Sequence, residues 1–415
     1  MQICINHERI AQEIEALAAF SDVEPPGVTR IVFTEQDLHA REWLKKRFLE
    51  AGLVVRVDAI GNTFARWEGS QPDLPAVATG SHIDAIPYAG KFDGVVGVLG
   101  GLDAIRTLKA SGFKPTRPIE LIQLTSEEPT RFGVGCLGSR LLSGALTPES
   151  DEKLRDSNGE TLRFVRTQAG FVGDLASVRL SEGAYSAFVE LHIEQGPILE
   201  RDGIAIGVVT EIAAPASFLV TLVGQGGHAG GTLMQGRRDA LCAASELILA
   251  IEMLARSSGA VDTVATVGTC EIYPDAINSI PSRVRLGVDL RDIDSARRDH
   301  IFEGIKSVAK KISSQRQVEI HFEVLNADAP ASSSAHVLAA IRAACSAAKV
   351  SSREIVSRAY HDSLFMSRIA PMAMIFIPCH DGVSHRPDEF ASIEDIADGV
   401  EVLARALAEL SSEAG

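Results

Sequence analysis

Short apolar runs alternate with segments of helical spacing along the first half of the chain. Runs of strand length cover 76–82, 118–125 and 186–192, and each ends in polar residues. Between them, apolar residues recur at helical spacing over 97–110. This alternation predicts βαβ units and a largely parallel sheet. Ligands bind such sheets at the carboxyl ends of the strands, so the polar residues there are the first functional candidates.

The pattern changes between residues 212 and 328. Strand-like and helix-like segments follow there in the order strand, helix, strand, strand, helix, strand, which is typical of a ferredoxin-like α+β unit. The strands are predicted over 217–224, 262–272, 283–290 and 317–325, and the helices over 238–255 and 293–312. The α/β pattern then resumes. We therefore expect an α/β catalytic domain of residues 1–211 and 329–415, interrupted by an inserted α+β domain of residues 212–328.

Composition and charge exclude several classes of protein. The 55 acidic residues outnumber the 40 basic ones and aromatic residues make up only 5%, which argues against nucleic-acid binding. No apolar run reaches the ~18–20 residues that cross a bilayer. The first residues lack the basic start of a signal peptide, and the six cysteines form no C-x-x-C pair. A cytoplasmic protein with reduced, buried thiols is expected, without a membrane or nucleic-acid partner.

Four clusters of histidine and carboxylate residues follow predicted strands or lie near the C-terminus. They are 80–84 with Asp93, 125–128, 190–196 and 382–387. His82 can ligate a metal through one ring nitrogen while Asp84 accepts from the other. A single cluster of this kind is more often a structural histidine or a solvated turn. The coincidence of four favours a shared site for Zn²⁺, Mn²⁺ or Co²⁺, or for two ions bridged by one carboxylate.

The longer motifs around these clusters resemble one family. The segments GSHIDAIPYAGKFDG, TSEEPTRFGVGCLGSR, VELHIEQGPILE and GVSHRPDE are similar to the amidohydrolase branch of the aminoacylase-like dinuclear metallopeptidases. The similarity runs from about residue 29 to the C-terminus. It implies a catalytic α/β domain with an inserted lid that also forms a homodimer, and a small-molecule substrate.

The resemblance also implies a role for each site residue. Two divalent ions are expected, Mn²⁺ first and Zn²⁺ or Co²⁺ as alternatives. Glu127 would be the general base for the water between them. The implied ligands are His82, Asp93 and His192 for one ion, and Glu128 and His385 with the bridging Asp93 for the other.

The lid motif GQGGHAGGTLMQGRRDA matches a histidine-containing segment of the family. The match implies that His228 stabilises the oxyanion, in relatives at the active site of the partner subunit. Gln195, Asn278 and Arg291 match positions that contact the substrate, with Arg291 binding its carboxylate. The residues alone also allow a turn histidine at 228 and a surface charge at 291.

Three departures from the commoner family pattern bear on the substrate. Pro129, the segment 228–234 and the segment 357–363 are most similar to the members that hydrolyse ureidoglycolate. Tyr360 would fill the pocket and exclude long substrates, unless it packs in the core, and the adjacent His361 would also contact the substrate. The implied reaction converts (S)-ureidoglycolate to glyoxylate, ammonia and CO₂. An N-carbamoyl-L-amino acid, allantoate or another small amide remains an alternative substrate, and a non-catalytic binding protein an alternative class.

Overall fold

A computed structural model describes residues 3–413. The chain divides into two compact units. The first comprises the residues up to Thr210, Ser332–Ile355 and the chain from His361 onward, and the second comprises Glu211–Ala331 and Val356–Tyr360. The predicted α/β fold with an inserted α+β unit is confirmed. The sequence pattern did not predict that residues 356–360 also belong to the second unit.

The helices and strands of the described residues are numbered in chain order. The helices are α1 (His7–Ala18), α2 (Glu35–Glu50), α3 (Val95–Ala110), α4 (Leu137–Ser143), α5 (Ser150–Lys153), α6 (Leu162–Gln168), α7 (Ile198–Asp202), α8 (Ala240–Ser257), α9 (Ser295–Arg316), α10 (Ala335–Ala348), α11 (Asp362–Met366) and α12 (Ile393–Ser412). The strands are β1 (Val28–Arg30), β2 (Val54–Val57), β3 (Thr63–Trp67), β4 (Ala76–His82), β5 (Ala85–Ala89), β6 (Ile119–Leu124), β7 (Tyr185–Ile193), β8 (Ile206–Ile212), β9 (Ala214–Val223), β10 (Gly227–His228), β11 (Val264–Tyr273), β12 (Ser279–Ile280), β13 (Arg283–Asp292), β14 (Glu319–Ala327), β15 (Ala331–Ser332), β16 (Ser352–Ser357) and β17 (Met372–Ile377).

The first unit is built on a sheet whose central strands are parallel. The strands follow one another in the order β15-β8-β17-β7-β4-β6-β3-β2, and β16 also pairs with β8. Strands β17, β7, β4 and β6 run parallel, whereas β8, β3 and β2 are antiparallel to their neighbours. Every residue of β4, β6 and β17 is buried, as expected for strands covered on both faces. Helices α3 and α12 pack on this sheet, and α10 packs on α12.

The register of the parallel strands determines where polar side chains meet. His82 at the end of β4 pairs with Leu124 at the end of β6, and His192 near the end of β7 pairs with Phe376 of β17. The carboxyl ends of these strands therefore lie at one edge of the sheet. Residues that follow them are brought to the same place, which is the usual position of a site in such sheets.

The second unit is an antiparallel sheet with two helices. Its strand order is β11-β13-β9-β14, and α8 and α9 pack on it. Burial alternates along β13, because one face of the strand meets the helices and the other does not. Asp239 and Asp294 cap the two helices by accepting from backbone N–H groups of the first turn. The predicted order of strands and helices agrees with this arrangement.

One expectation from the sequence is wrong. All six cysteines are free, but Cys4, Cys242 and Cys270 are exposed rather than buried. Cys242 lies in the first turn of α8, and Cys270 lies in the edge strand β11, where apolar neighbours in sequence do not ensure cover. None of the helices in residues 3–413 combines the length and apolar character that a bilayer-spanning helix needs.

Candidate metal centre and active site

Strand ends of the first unit bring histidine and carboxylate side chains together around Asp93. Its Oδ1 lies 3.1 Å from His192 Nε2 and 3.7 Å from His82 Nε2. Its Oδ2 lies 3.2 Å from His385 Nε2, which is itself 3.3 Å from Glu128 Oε1. The fold thus gathers the five side chains that the sequence motifs suggested as metal ligands, although they span 304 positions of the chain, from 82 to 385.

These side chains form two groups that share Asp93. The first is His82, Asp93 and His192, and the second is Asp93, Glu128 and His385. Within each group the ligand atoms lie within 4.8 Å of one another. Ligands about 2.0–2.2 Å from a common ion lie at most about 4.4 Å apart, so each group needs only a small adjustment to bind one. Imidazole and carboxylate donors suit Zn²⁺, Mn²⁺ and Co²⁺, and the residues present fit such ions.

The hydrogen bonds of His82 and His192 favour metal binding through their Nε2 atoms. His82 Nδ1 lies 3.0 Å from the carbonyl of Asp84, and His192 Nδ1 lies 3.0 Å from the carbonyl of Ile193. Because a carbonyl only accepts, each Nδ1 carries a proton, and Nε2, the ring nitrogen that faces Asp93, is the atom that would bind a cation when the ring is neutral. Gly94 makes room for this arrangement. It has a φ of +66°, and a Cβ there would lie 2.5 Å from His82 Nε2.

The electrostatics of the cluster favour cations. Burial raises the pKa of Glu127 well above its usual value, and burial together with the charge of Asp93 raises the pKa of Glu128 to about 7. Burial also opposes ionisation of Asp93, but hydrogen bonds with His192, His385 and His82 hold the pKa of Asp93 well below its usual range. Closely spaced buried carboxylates repel one another, and divalent cations would offset that repulsion.

Glu127 lies beside both groups but belongs to neither. Its Oε2 is 3.8 Å from His82 Nε2, and its Oε1 accepts from the Cys136 thiol, with Sγ and Oε1 3.4 Å apart. The Cys136 N–H also donates to the Glu127 carbonyl over 2.8 Å. Glu127 is buried, and its two oxygens face different surroundings. Oε2 is therefore the oxygen that faces His82 of the first candidate group.

Asp84 supports the site differently from the sequence-based expectation. Its carboxylate was expected to accept from His82, but its Oδ1 lies 3.7 Å from the ring, and the backbone carbonyl of Asp84 makes that contact instead. The carboxylate accepts from the N–H groups of Glu127 over 3.2 Å and of Glu128 over 3.0 Å. This is possible because Ser126, with a φ of +56°, turns the chain at that point. Asp84 therefore holds the turn that carries the two glutamates.

Two of the predicted substrate contacts lie in the first unit. Gln195 is half-buried, and its Nε2 donates to Asp93 Oδ2 over 2.7 Å and to Ser384 Oγ over 3.3 Å. His361 is buried, with its ring centroid 4.5 Å from that of His192. Both residues thus adjoin side chains of the two candidate metal-ligating groups.

His228 and Asn278 lie together in the second unit. The N–H groups of Gly230 and Gly231 donate to His228 Nδ1 over 3.1 and 3.0 Å. His228 therefore carries its proton on Nε2 when neutral, and the side chain is exposed. The Asn278 carbonyl accepts from the N–H of Ala229 over 2.9 Å, beside the paired strands β10 and β12. The exposed Nε2–H of His228 is an available hydrogen-bond donor.

Arg291 and Tyr360 also lie together in the second unit. The Arg291 guanidinium lies 5.6 Å from the centroid of the half-buried Tyr360 ring. Its Nε donates to Asp289 over 2.7 Å, and its Nη1 donates to the carbonyl of Arg358 over 3.2 Å. The neighbour of Arg291 in sequence, Asp292, pairs with Arg297 instead.

Sequence reasoning missed Cys136, Ser384 and Glu389. Cys136 follows the glutamate pair by eight or more positions, and a lone cysteine carries no motif. Glu389 follows His385 in a Pro-Asp-Glu turn, a pattern typical of a solvated loop, yet it is buried. Its contacts reach Phe92 and Asp93, about 300 positions earlier, and no local pattern signals them.

Comparison with known proteins identifies the family. A model of peptidase family M20/M25/M40 matches residues 78–409. Ureidoglycolate hydrolase of Arabidopsis thaliana is 52% identical over 409 residues, which cover 97% of this chain and 86% of that protein. N-carbamoyl-L-amino acid amidohydrolase of Geobacillus stearothermophilus is 40% identical over 400 residues, covering 96% and 97%. The crystal structure of AtUAH in complex with glyoxylate matches with a TM-score of 0.93 at 51% identity, covering 99% of both chains.

These relatives bear on the expectations from the motifs. They are hydrolases and amidohydrolases by name, and the similarity extends over nearly the whole chain. The hydrolase class and the resemblance that the four motifs indicated are both confirmed. The chain therefore belongs to peptidase family M20/M25/M40.

Proposed function

We propose that the chain hydrolyses the ureido C–N bond of a small ureido acid, (S)-ureidoglycolate first of all. The carbamate and hydroxyglycine that result are unstable and break down to glyoxylate, ammonia and CO₂. The observation that carries the reaction class is the buried Glu127 beside two metal-ligating groups that share Asp93. The choice of substrate is supported by the 52% identity to a ureidoglycolate hydrolase over 97% of the chain. The alternative with support of its own is an N-carbamoyl-L-amino acid, because a relative with that activity in its name is 40% identical.

The proposal includes two divalent cations, with Mn²⁺ first and Zn²⁺ or Co²⁺ as alternatives. When bound, they supply Lewis acidity that polarises the substrate carbonyl and makes water a stronger acid. The side chains that would hold them are His82, Asp93, His192, Glu128 and His385.

Glu127 moves the proton in this scheme. Its Oε2 accepts a proton from the attacking water as the water oxygen bonds to the ureido carbon. Oε1 keeps its hydrogen bond with the Cys136 thiol throughout, so the carboxylate does not have to rotate. Oε2 then returns the proton to the nitrogen that leaves as the C–N bond breaks. Burial raises the pKa of Glu127, which makes its carboxylate a stronger base for the first step.

A homodimer formed through the second unit is part of the proposal. His228 of the partner subunit would donate its Nε2–H to the developing oxyanion. The surroundings of His228 support a partner: Leu233, Met234 and Ile277 are 82%, 78% and 104% exposed. Large apolar side chains grouped on a surface commonly mark a protein interface. Asn278 in the same region would then contact the substrate.

Arg291 would bind the substrate carboxylate, and Tyr360 would limit the length of the substrate. Arg291 donates through Nε and Nη2 to Asp289 and through Nη1 to the Arg358 carbonyl. A guanidinium has five N–H groups, so one hydrogen on each Nη remains for a carboxylate. The Tyr360 ring centroid lies 5.6 Å from the guanidinium carbon of Arg291, within the range of a cation–π interaction that would help to position Arg291.

Replacing Arg291 by alanine should raise KM about 10–100-fold for a carboxylate substrate and change kcat much less. A hydrogen bond to a charged group contributes about 1.5–3 kcal/mol, which corresponds to that range. Steady-state kinetics of ammonia release measures both constants. Arg297→Ala is the matched control, because Arg297 is also ion-paired in the second unit but pairs with Asp292. An effect of Arg291→Ala confined to kcat would exclude carboxylate binding by Arg291.

The proposed function is tested by ammonia release from the Mn²⁺-loaded protein. The substrate panel contains (S)-ureidoglycolate, allantoate, N-carbamoyl-β-alanine and several N-carbamoyl-L-amino acids. Preferred turnover of ureidoglycolate supports the proposal and the size limit set by Tyr360. Preference for a larger substrate leaves the reaction class intact but refutes the substrate. No turnover of any member, with two cations bound, refutes ureido hydrolysis and favours the non-catalytic alternative.

A further inference from the structure

Glu389 is a buried carboxylate with no role in the scheme above. Glu389 is 4% exposed and lies four positions after His385. Its Oε1 accepts from the N–H groups of Phe92 and Asp93 over 2.9 and 3.1 Å. Its Oε2 accepts from Ser384 Oγ over 2.8 Å. One carboxylate therefore joins the turn that carries Asp93 to the loop that carries His385.

Ser384 extends this connection to the Asp93 side chain. Ser384 Oγ lies 3.1 Å from Asp93 Oδ2 and 2.8 Å from Glu389 Oε2. A hydroxyl has one hydrogen, and the shorter distance assigns it to Glu389. The Asp93 Oδ2 lone pair that faces Ser384 then stays free of that proton. Glu389 thus accepts from the backbone N–H of Asp93 and also takes the Ser384 hydroxyl proton that would otherwise bind the Asp93 carboxylate.

His385 depends on such support more than the other metal-ligating side chains. Its side chain is 47% exposed, whereas those of His82 and His192 are each 1% exposed. His385 follows no strand directly and has a φ of +59°, an uncommon backbone conformation for a histidine. Packing alone therefore fixes His385 less firmly, and the Ser384–Glu389 contact lies next to it.

The sequence makes specific room for Glu389. A Cβ at Gly90 would lie 2.4 Å from both the Cβ and the Oε1 of Glu389. Gly90 does not have a positive φ, so its backbone conformation is open to any residue. The close approach of Glu389 is the structural reason for glycine at this position.

From these contacts we propose that Glu389 is a positioning residue that couples Asp93 to His385 and so sets the affinity of the metal centre. The inference rests on the proposed function, in which Asp93 and His385 bind cations. It adds a residue that touches neither a cation nor the substrate in that scheme. Partners of this kind commonly change metal affinity by about 10–100-fold when they are removed.

The test is metal binding by the full chain, with Zn²⁺ and Mn²⁺ as probes and competition against a chromogenic chelator. Glu389→Ala should weaken binding of at least one cation by about 10–100-fold. Glu389→Gln should weaken it less, because its Oε1 still accepts from the N–H groups of Phe92 and Asp93. Gly90→Ala should behave like Glu389→Ala, because the new methyl group displaces the carboxylate. Asp388→Asn is the matched control, because Asp388 is an exposed neighbour that pairs with Arg386, and this variant should bind as the wild type does.

A purely structural role is separated by thermal denaturation with and without Zn²⁺. The proposal expects the rise in Tm on adding Zn²⁺ to shrink in Glu389→Gln while the metal-free Tm stays close to that of the wild type. Wild-type affinity in both Glu389→Gln and Gly90→Ala overturns the proposal, and this holds even if Glu389→Ala does not fold. Failure of the wild type to bind two cations instead refutes the proposed metal centre.

Discussion

Replacing Glu127 by glutamine is expected to lower kcat about 10²–10⁴-fold, the range typical of losing a general acid–base group. The amide has nearly the shape of the carboxylate but cannot accept a proton from water. Glu127 belongs to neither metal-ligating group, so both cations should remain bound. The Tm should not fall, since burial already makes the charged form of Glu127 unfavourable. Ammonia release with (S)-ureidoglycolate measures kcat, and atomic emission measures metal per chain.

Glu127→Asp is the conservative comparison for this variant. Aspartate keeps the base but withdraws it by one methylene group from the position where Oε2 lies, 3.8 Å from His82 Nε2. Its kcat should fall between those of the wild type and Glu127→Gln. If Glu127→Gln keeps more than about a tenth of the activity, which is well above the expected range, another group is the base. If Glu127→Gln loses its cations, Glu127 is a ligand and the division of roles is wrong.

Replacing Asp93 by asparagine is expected to abolish turnover and to weaken binding of both cations by at least about 100-fold. Asp93 is the residue common to both candidate metal-ligating groups, and three histidine rings lie around its two oxygens. The amide removes the negative charge on which both groups depend. Titration with Zn²⁺ and Mn²⁺, followed by removal of weakly bound ions, measures the loss.

Asp381→Asn is the matched control for Asp93→Asn. Asp381 belongs to an exposed group with Glu200 and His380, whose ligand atoms are also within 4.8 Å of one another. If cations counted in the wild type bind at this surface group, Asp381→Asn loses them and Asp93→Asn does not. The proposal expects the reverse. A chelator should abolish wild-type activity, and adding Mn²⁺ should restore it in the wild type but not in Asp93→Asn.

The parts of the fold that the sequence predicted well are those with strong local signals. Strand β4 was expected over 76–82 and is found at those residues, and strand β13 begins at residue 283 as expected. The apolar run of β4 is buried on both faces, so its composition alone separates it from its surroundings. The order of elements in the second unit was equally accessible, because alternation and helical spacing are properties of neighbouring residues.

The sequence predicted those residues of the site that lie at strand ends or within motifs. His82 and the glutamate pair follow central strands, and parallel strands bring their carboxyl ends to one edge. The details inside the site were not accessible in this way. The carboxylate of Asp84 accepts from the turn at 127–128 rather than from the histidine two residues away. Which of two acceptors a donor uses depends on distances of a few tenths of an ångström, which no spacing rule resolves.

By itself, the sequence determined the two-unit α/β architecture, the family and the residue types gathered for metal chemistry. These follow from periodicity and from motifs, which are local properties of the chain. Only the tertiary structure decided that Glu389 is buried beside Asp93, that Cys136 holds one oxygen of Glu127, and that three cysteines are exposed. Burial and hydrogen-bond partners depend on which distant segments pack together. Residues about 300 positions apart in the chain form a contact that no local sequence pattern around either residue indicates.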